Sequence, residues 1–249
     1  MFKTGVVSVS FRALTVDEVI KYTKESGLKA IEWGSDVHAP YNDLERIEYI
    51  AKAQKEAGLY CPSYGTYFKL GTHDTEELHG YIAAAKILGT NILRLWCGNK
   101  NHADLTPEER EFMISECKKA AKIAEEEGAI LCMECHNNSF TNTLAGALDL
   151  MESVNSPAFR MYWQPAFKGE EADIAYAKAI APYTNTVHVF YYEDGVKRSM
   201  ADGVEIWKKF LKLFDGTQHL LLEFMPDKRP ESLATEARVL NEIRDAVNK

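Results

Sequence analysis

Four apolar runs of this chain each close on a side chain able to hold a metal ion. They are Ile130-Leu131-Cys132-Met133-Glu134, Met161-Tyr162-Trp163-Gln164, Thr186-Val187-His188 and Leu220-Leu221-Leu222-Glu223. Each run has the length of a buried strand, with the polar residue at or near its carboxyl end. One such residue says little, because a buried carboxylate can equally satisfy a local hydrogen bond or pair with an arginine. Two carboxylates, an imidazole and an amide carbonyl at successive strand ends form a mixed oxygen and nitrogen set suited to one Mn²⁺, Mg²⁺, Co²⁺ or Zn²⁺ ion. Alternation along the strands groups Cys132 with Glu134 and His136, Tyr162 with Gln164, Thr186 with His188 and Phe190, and Leu221 with Glu223 and Met225.

Residues so far apart in sequence converge only if the strands that carry them end at one face, as they do in a closed parallel barrel. A repeated phrase predicts that architecture. Glu25-Ser26-Gly27-Leu28, Glu56-Ala57-Gly58-Leu59, Ile87-Leu88-Gly89-Thr90 and Glu127-Gly128-Ala129 each stop a helical pattern at a glycine and begin an apolar strand. Capping-box spacing at Thr15 to Glu18 and Thr106 to Glu109 marks helix starts, with Pro107 in the first turn of the second. The pattern predicts strands near 4–9, 29–34, 59–65, 91–97, 129–135, 159–164, 185–190 and 218–224. It predicts helices near 15–26, 43–57, 75–88, 107–127, 143–154, 171–181, 203–214 and 231–247. An open doubly wound sheet would also alternate, but it would place a glycine-rich phosphate loop after the first strand, where this chain has Ser8-Val9-Ser10-Phe11-Arg12. The expectation is therefore α/β, a single (β/α)8 TIM barrel over residues 1–249.

Composition narrows the partners. The 249 residues match the roughly 250 of one such barrel. No run approaches the roughly 18 apolar residues of a membrane span, and the first residues read as a strand, not a signal peptide, so cytoplasm is expected. A net charge of −8 without a basic cluster argues against a nucleic-acid partner. Cys132 and Cys135 have Cys-x-x-Cys spacing, but in a strand they face opposite ways and no thioredoxin-like helix follows, so reduced core thiols are expected. The oligomeric state is left open, a homo-oligomer included.

At Gly27 to Trp33, Arg94-Leu95-Trp96, Glu134, Val187-His188-Val189 and Glu223-Phe224 the chain resembles the xylose isomerase-like barrel superfamily of sugar and sugar-phosphate isomerases and epimerases. Tagatose 3-epimerase, hydroxypyruvate isomerase, inosose dehydratase and, more distantly, endonuclease IV belong to it. The resemblance covers the whole chain. It implies that a Glu, an Asp, a His and a second Glu from strands five to eight bind one metal, and that the two Glu residues move protons. By position these are Glu134, Gln164, His188 and Glu223. The chain departs from the pattern twice: Gln164 stands for the Asp, and Phe167 stands where a His is common three residues on. With two ligand carboxylates instead of three, the expected divalent ion should be held more weakly.

The implied reaction is proton transfer at a carbon beside a carbonyl through an enediolate, with Glu134 and Glu223 as the acid and base. An inosose-type dehydratase on the same site and a catalytically silent sugar binder are the alternatives; a nuclease would need more ligands and a basic groove. Further candidates for substrate contact are His136, His38, Trp33, Trp96, Tyr64 and Phe190, each near a predicted strand end on the functional side. Aromatic residues in such places are also ordinary core. Glu32 and Arg94 alternate onto the barrel side and are expected to form a structural ion pair. Lys197 and Arg198, after strand seven, could meet a substrate phosphate or be solvated loop charges.

Overall fold

A computed structural model describes residues 1–247. Eight parallel strands close into a barrel in the order β1-β10-β7-β6-β5-β4-β3-β2. The strands are β1 (Lys3–Val7), β2 (Ala30–Gly34), β3 (Tyr64–Leu70), β4 (Ile92–Cys97), β5 (Ile130–Glu134), β6 (Phe159–Trp163), β7 (Thr184–Val189) and β10 (His219–Leu222). Between β7 and α7, β8 (Tyr191–Glu193) and β9 (Val196–Arg198) form an antiparallel hairpin. The helices are α1 (Val16–Glu25), α2 (Leu44–Glu56), α3 (Leu78–Leu88), α4 (Pro107–Glu127), α5 (Leu144–Val154), α6 (Glu170–Ile180), α7 (Val204–Leu211) and α8 (Leu233–Val247). The predicted (β/α)8 barrel is the observed fold. Among the described residues no helix is long and apolar enough to cross a membrane.

Local chemistry explains the element ends. Thr15 with Glu18 and Thr106 with Glu109 both form complete capping boxes, and Gly89 and Gly128 end α3 and α4 with φ of 88° and 69°. Alternation then sorts the side chains. Val7, Val9, Cys132, Tyr162 and Leu221 pack inside the barrel, while the large cluster that includes Trp33, Leu93, Leu131, Trp163 and Val187 fills the layer between strands and helices. All five cysteines are free and buried, as expected of core thiols.

The third strand lies later than predicted. The run from Leu59 touches the barrel only through one bridge between Ala30 and Tyr60, and continuous pairing starts where Trp33 meets Tyr64. Pro62 has no N–H to give a ladder, so pairing resumes beyond it. The first strand ends at Val7, and Ser8–Phe11 turns into a 3-10 helix that brings the Ser8 hydroxyl onto the Gly34 amide at 2.9 Å.

Candidate metal and active site

Glu32, Arg94, Glu134 and His188 are carried into the barrel by β2, β4, β5 and β7, and Glu223 follows the end of β10. The registers align them: Leu221 pairs with His188, and Glu134 with Tyr162. All five charged or imidazole side chains are buried. Gln164, just past β6, donates its Nε2 to the Cys135 carbonyl at 3.0 Å. That bond sets the amide orientation and turns Oε1 toward His188 Nδ1, 3.1 Å away.

His188 Nδ1 is the centre of the arrangement. Besides the Gln164 oxygen, it faces Glu134 Oε1 at 3.5 Å and Glu223 Oε2 at 3.6 Å. Two ligands each about 2.1 Å from one ion lie about 3.0 Å apart at a right angle and about 3.4 Å apart at the tetrahedral angle. The observed spacings are therefore those of donors around a single ion, and potential ligand atoms of Glu134, His188 and Glu223 all fall within 4.8 Å of one another. On the other side of the ring, buried His188 Nε2 has no hydrogen-bond partner, with Glu32 Oε1 the nearest carboxylate oxygen at 3.8 Å. A carboxylate behind the far nitrogen is what orients a metal-ligating histidine. The residues present fit a divalent ion.

Beneath this set, Arg94 bridges two carboxylates, with Nε to Glu32 Oε1 at 2.8 Å and Nη1 to Glu134 Oε2 at 2.6 Å. Glu32 Oε2 also accepts from Ser63 at 2.9 Å and from Tyr162 at 2.6 Å. Burial works against the Glu32 carboxylate ion, but the charges of Arg94 and His188 and the bond from Tyr162 outweigh it and hold its pKa down at about 2. Arg94 and His188 hold Glu134 lower still, against the same burial penalty. Glu223 moves the other way: burial and the neighbouring carboxylates raise it more than His188 and Arg94 lower it. Burial of His188 is overcome by the charge of Glu223 and by the nearby carboxylates of Glu134 and Glu32, which bring its pKa up to about 10. A site this rich in carboxylate favours a positive charge at its centre.

Of the further candidates, Trp96, His136 and Phe190 stand at the mouth. Trp96 Nε1 donates to Glu134 Oε2 at 2.5 Å, a bond that its residue type alone did not reveal. His136 lies over the Trp96 ring with centroids 4.9 Å apart. His136, Gln164, Phe167, Phe190 and Tyr192 line a cavity of about 270 Å³. Trp33, Tyr64 and His38 do not contribute to it. Trp33 Nε1 bonds Gln54 of α2 at 2.9 Å, the Tyr64 hydroxyl bonds the Ala39 carbonyl at 2.5 Å, and His38 Nε2 lies 3.0 Å from the Leu14 carbonyl. All three are buried: a one-residue step along β2 and the later start of β3 turn Trp33 and Tyr64 outward, and His38, in the loop after β2, packs edge-on against the Trp33 ring.

Backbone strain collects at the same mouth. Tyr67, Asn138, Phe167 and Phe224 have φ of 57°, 55°, 51° and 60°, values unusual for non-glycine residues and hardest on aromatic ones. Their positions cannot be read from residue type, although Phe167 and Phe224 closely follow strand ends and Tyr67 sits at the register shift within β3.

These features define a barrel with a carboxylate-rich, metal-competent centre at the carboxyl ends of its strands. The chain belongs to the xylose isomerase-like TIM barrel family, whose profile matches residues 20–243. A 3-dehydroshikimate dehydratase of Bacillus anthracis is 22% identical over 168 residues, 64% of this chain but only 60% of that protein's length. The solved structure of the probable 3-DHS dehydratase involved in petrobactin synthesis from Bacillus anthracis has a TM-score of 0.80 at 19% identity, over 97% of this chain and 99% of that one. L-ribulose 3-epimerase gives 0.76 at 16% identity over 100% and 96% of the two chains. A xylose isomerase-like TIM barrel protein from Mycobacterium smegmatis in complex with magnesium gives 0.74 at 14%, over 99% and 98%. At such identities these structures share the fold with this chain.

Proposed function

We propose that this chain is a metal-dependent isomerase or epimerase of a sugar or sugar-like polyol, working by proton transfer at a carbon next to a carbonyl. The observation that carries this reading is the ring of three oxygens, from Glu134, Gln164 and Glu223, at 3.1–3.6 Å around His188 Nδ1. A divalent ion held by these four residues would polarise a carbonyl and stabilise charge developing on its oxygen.

The chain's own groups divide the remaining work. Arg94 and Trp96 both donate to Glu134 Oε2, which fixes this carboxylate and leaves Oε1 toward His188. Glu223 accepts no hydrogen bond among the described residues, so its carboxylate is free to take up or release a proton. Glu134 and Glu223 come from strands on different sides of the site, as removal and return of a proton on two faces of one carbon require. Phe167, Phe190, Tyr192 and Phe224 wall one side of the mouth and shield a reacting centre from water.

A dehydratase is the second reading, favoured by the sequence match to the Bacillus anthracis enzyme. It would use the same carboxylates, with a hydroxide lost after proton removal. The test is a screen of ketoses and cyclic keto-polyols in D2O with Mn²⁺, read by NMR. Isomerisation or epimerisation incorporates deuterium at the carbon beside the carbonyl, and dehydration gives an unsaturated product. Glu134→Gln and Glu223→Gln keep a coordinating oxygen and should each slow turnover by about 10²–10⁴-fold. Equal rates in wild type and Glu134→Gln retire the mechanism, and a binder that never exchanges deuterium retires the enzyme.

A further inference from the structure

The β8–β9 hairpin follows β7 immediately, so its strands stand over the carboxyl end of the barrel. On β9 the half-buried Lys197 reaches back across the mouth. Its Nζ lies 4.4 Å from the centre of the Phe224 ring and 5.7 Å from that of Tyr192. Phe224 follows Glu223 directly; burial lowers the Lys197 pKa, with Glu223 working against that shift and Lys228 adding to it. Cation–π contact of this kind places an ammonium without neutralising it.

The two cations that adjoin on β9 are used differently. Arg198 is exposed and pairs with Glu193 of the same hairpin at 3.7 Å. Lys197 has no carboxylate within ion-pair distance among the described residues, although it is the less exposed of the two. Nor does the centre below supply a net counter-charge once loaded, since a divalent ion and Arg94 together offset the carboxylates of Glu32, Glu134 and Glu223. A half-buried ammonium held over the entrance to a neutral site is a receptor for an anion arriving with the ligand.

We infer that Lys197 anchors a carboxylate or phosphate carried by the substrate away from its reacting carbon. This rests on the proposed chemistry at Glu134 and Glu223, and it narrows the substrate class from polyols in general to hydroxylated acids or sugar phosphates. Lys197 is a specificity residue, and proton transfer is left to the carboxylates.

Binding decides the matter without turnover. NMR titrations of the Mg²⁺-loaded protein compare quinate with its methyl ester and fructose 6-phosphate with fructose, each pair differing chiefly by the anionic group. In the wild type at least one anionic member should bind about tenfold or more tightly than its neutral counterpart, as a charge-assisted bond supplies. The pair that shows the gap identifies carboxylate or phosphate. Lys197→Met should close the gap while leaving the neutral ligand within about twofold, and Lys197→Arg should keep most of it. A gap that survives Lys197→Met overturns the assignment and points to another rim cation such as Lys69, whose Nζ lies 5.2 Å over Trp96. Equal binding of charged and neutral partners, or binding of none of the four, overturns it as well. Deuterium exchange into a neutral sugar with no anion preference would sink this inference and leave the isomerase reading intact. Anion preference without metal binding or exchange would do the reverse.

Discussion

Arg94 is the residue on which the buried charges balance, and Arg94→Met tests that directly. Methionine keeps most of the length of the side chain and removes the guanidinium. The structure then loses the 2.8 Å bond to Glu32 and the 2.6 Å bond to Glu134, both to carboxylates that are almost wholly buried. Removing one partner of a buried pair costs about 3–5 kcal/mol, because the charge left behind is neither hydrated nor matched. Two carboxylates are orphaned here, but Ser63 and Tyr162 still bond Glu32, and Trp96 still bonds Glu134, so the middle of that range is expected. For a chain of this size about 4 kcal/mol lowers the melting temperature by roughly 8–15 °C. Urea unfolding and calorimetry at pH 7 would measure it, with Glu32→Gln and the double variant completing a cycle. The double variant should be more stable than the two single losses added together, because neutralising Glu32 removes the charge that Arg94 was there to meet. A loss below about 1 kcal/mol in Arg94→Met, or strict additivity in the cycle, would refute the view of Arg94, Glu32 and Glu134 as one electrostatic unit.

Three further outcomes follow from particular contacts. Gln164→Asp or Gln164→Glu adds a ligand charge and should tighten Mn²⁺ by about tenfold in calorimetry; Glu keeps the length and Asp shortens it, so no gain in either folded variant removes Gln164 from the ligand set. Gly65 faces the ion pair, and a Cβ there would sit 2.7 Å from Arg94 Nη2 and 2.9 Å from Glu32 Oε1. Gly65→Ala should therefore destabilise by about 1–3 kcal/mol in urea melts, and an unchanged midpoint would mean that the pair can move aside. His219, below the site, has its pKa lowered from 6.5 to about 4, by burial first and by Lys3 second, with Tyr60 bonded to its Nε2 at 3.2 Å. The unfolded chain binds this proton more readily, so the group costs stability as pH falls from about 6.5 to 4, by at most about 3 kcal/mol before solvent screening. His219→Gln should flatten that part of the acid limb, and an unchanged pH profile would show that His219 titrates normally.

The barrel and the convergence of Glu134, Gln164, His188 and Glu223 were legible because strand burial, glycine helix ends and strand-end polarity are all local in sequence. What was not legible arises from contacts between strands or from single backbone angles. Trp96 looks like pocket wall until its indole is seen to donate to Glu134, and Trp33 looks the same until it is seen to bond Gln54 of α2. Both are tryptophans at strand ends, and only the face distinguishes them. The β8–β9 hairpin did carry a readable mark, Asp194-Gly195 between two short polar and aromatic runs, with φ of 50° and 72° at the turn. Reading that turn would have placed Lys197 over the barrel and not in a solvated loop. The late start of β3 was also marked, by Pro62.

Gln164 gains a different meaning from the structure than from the sequence. Counted along the chain, an amide in place of a carboxylate is a lost ligand charge. Counted in space, Glu32 lies just behind His188, and Arg94 joins it to Glu134. The buried carboxylates number three, and one guanidinium cancels one of them, so a divalent ion brings the centre to neutrality. An aspartate at 164 would leave that loaded centre with a net negative charge, which would repel an anionic ligand approaching the mouth by several tenths to a few kcal/mol at separations of about 6–8 Å and an effective dielectric of about 20–80. On the proposed chemistry, the amide would trade metal affinity for tolerance of negative charge on the substrate. If Gln164→Asp tightens Mn²⁺ and at the same time narrows the preference for an anionic ligand at Lys197, the two features are parts of one adaptation. If the metal tightens and the anion preference is untouched, Lys197 and Gln164 act independently, and the amide must be explained by its bond to the Cys135 carbonyl alone.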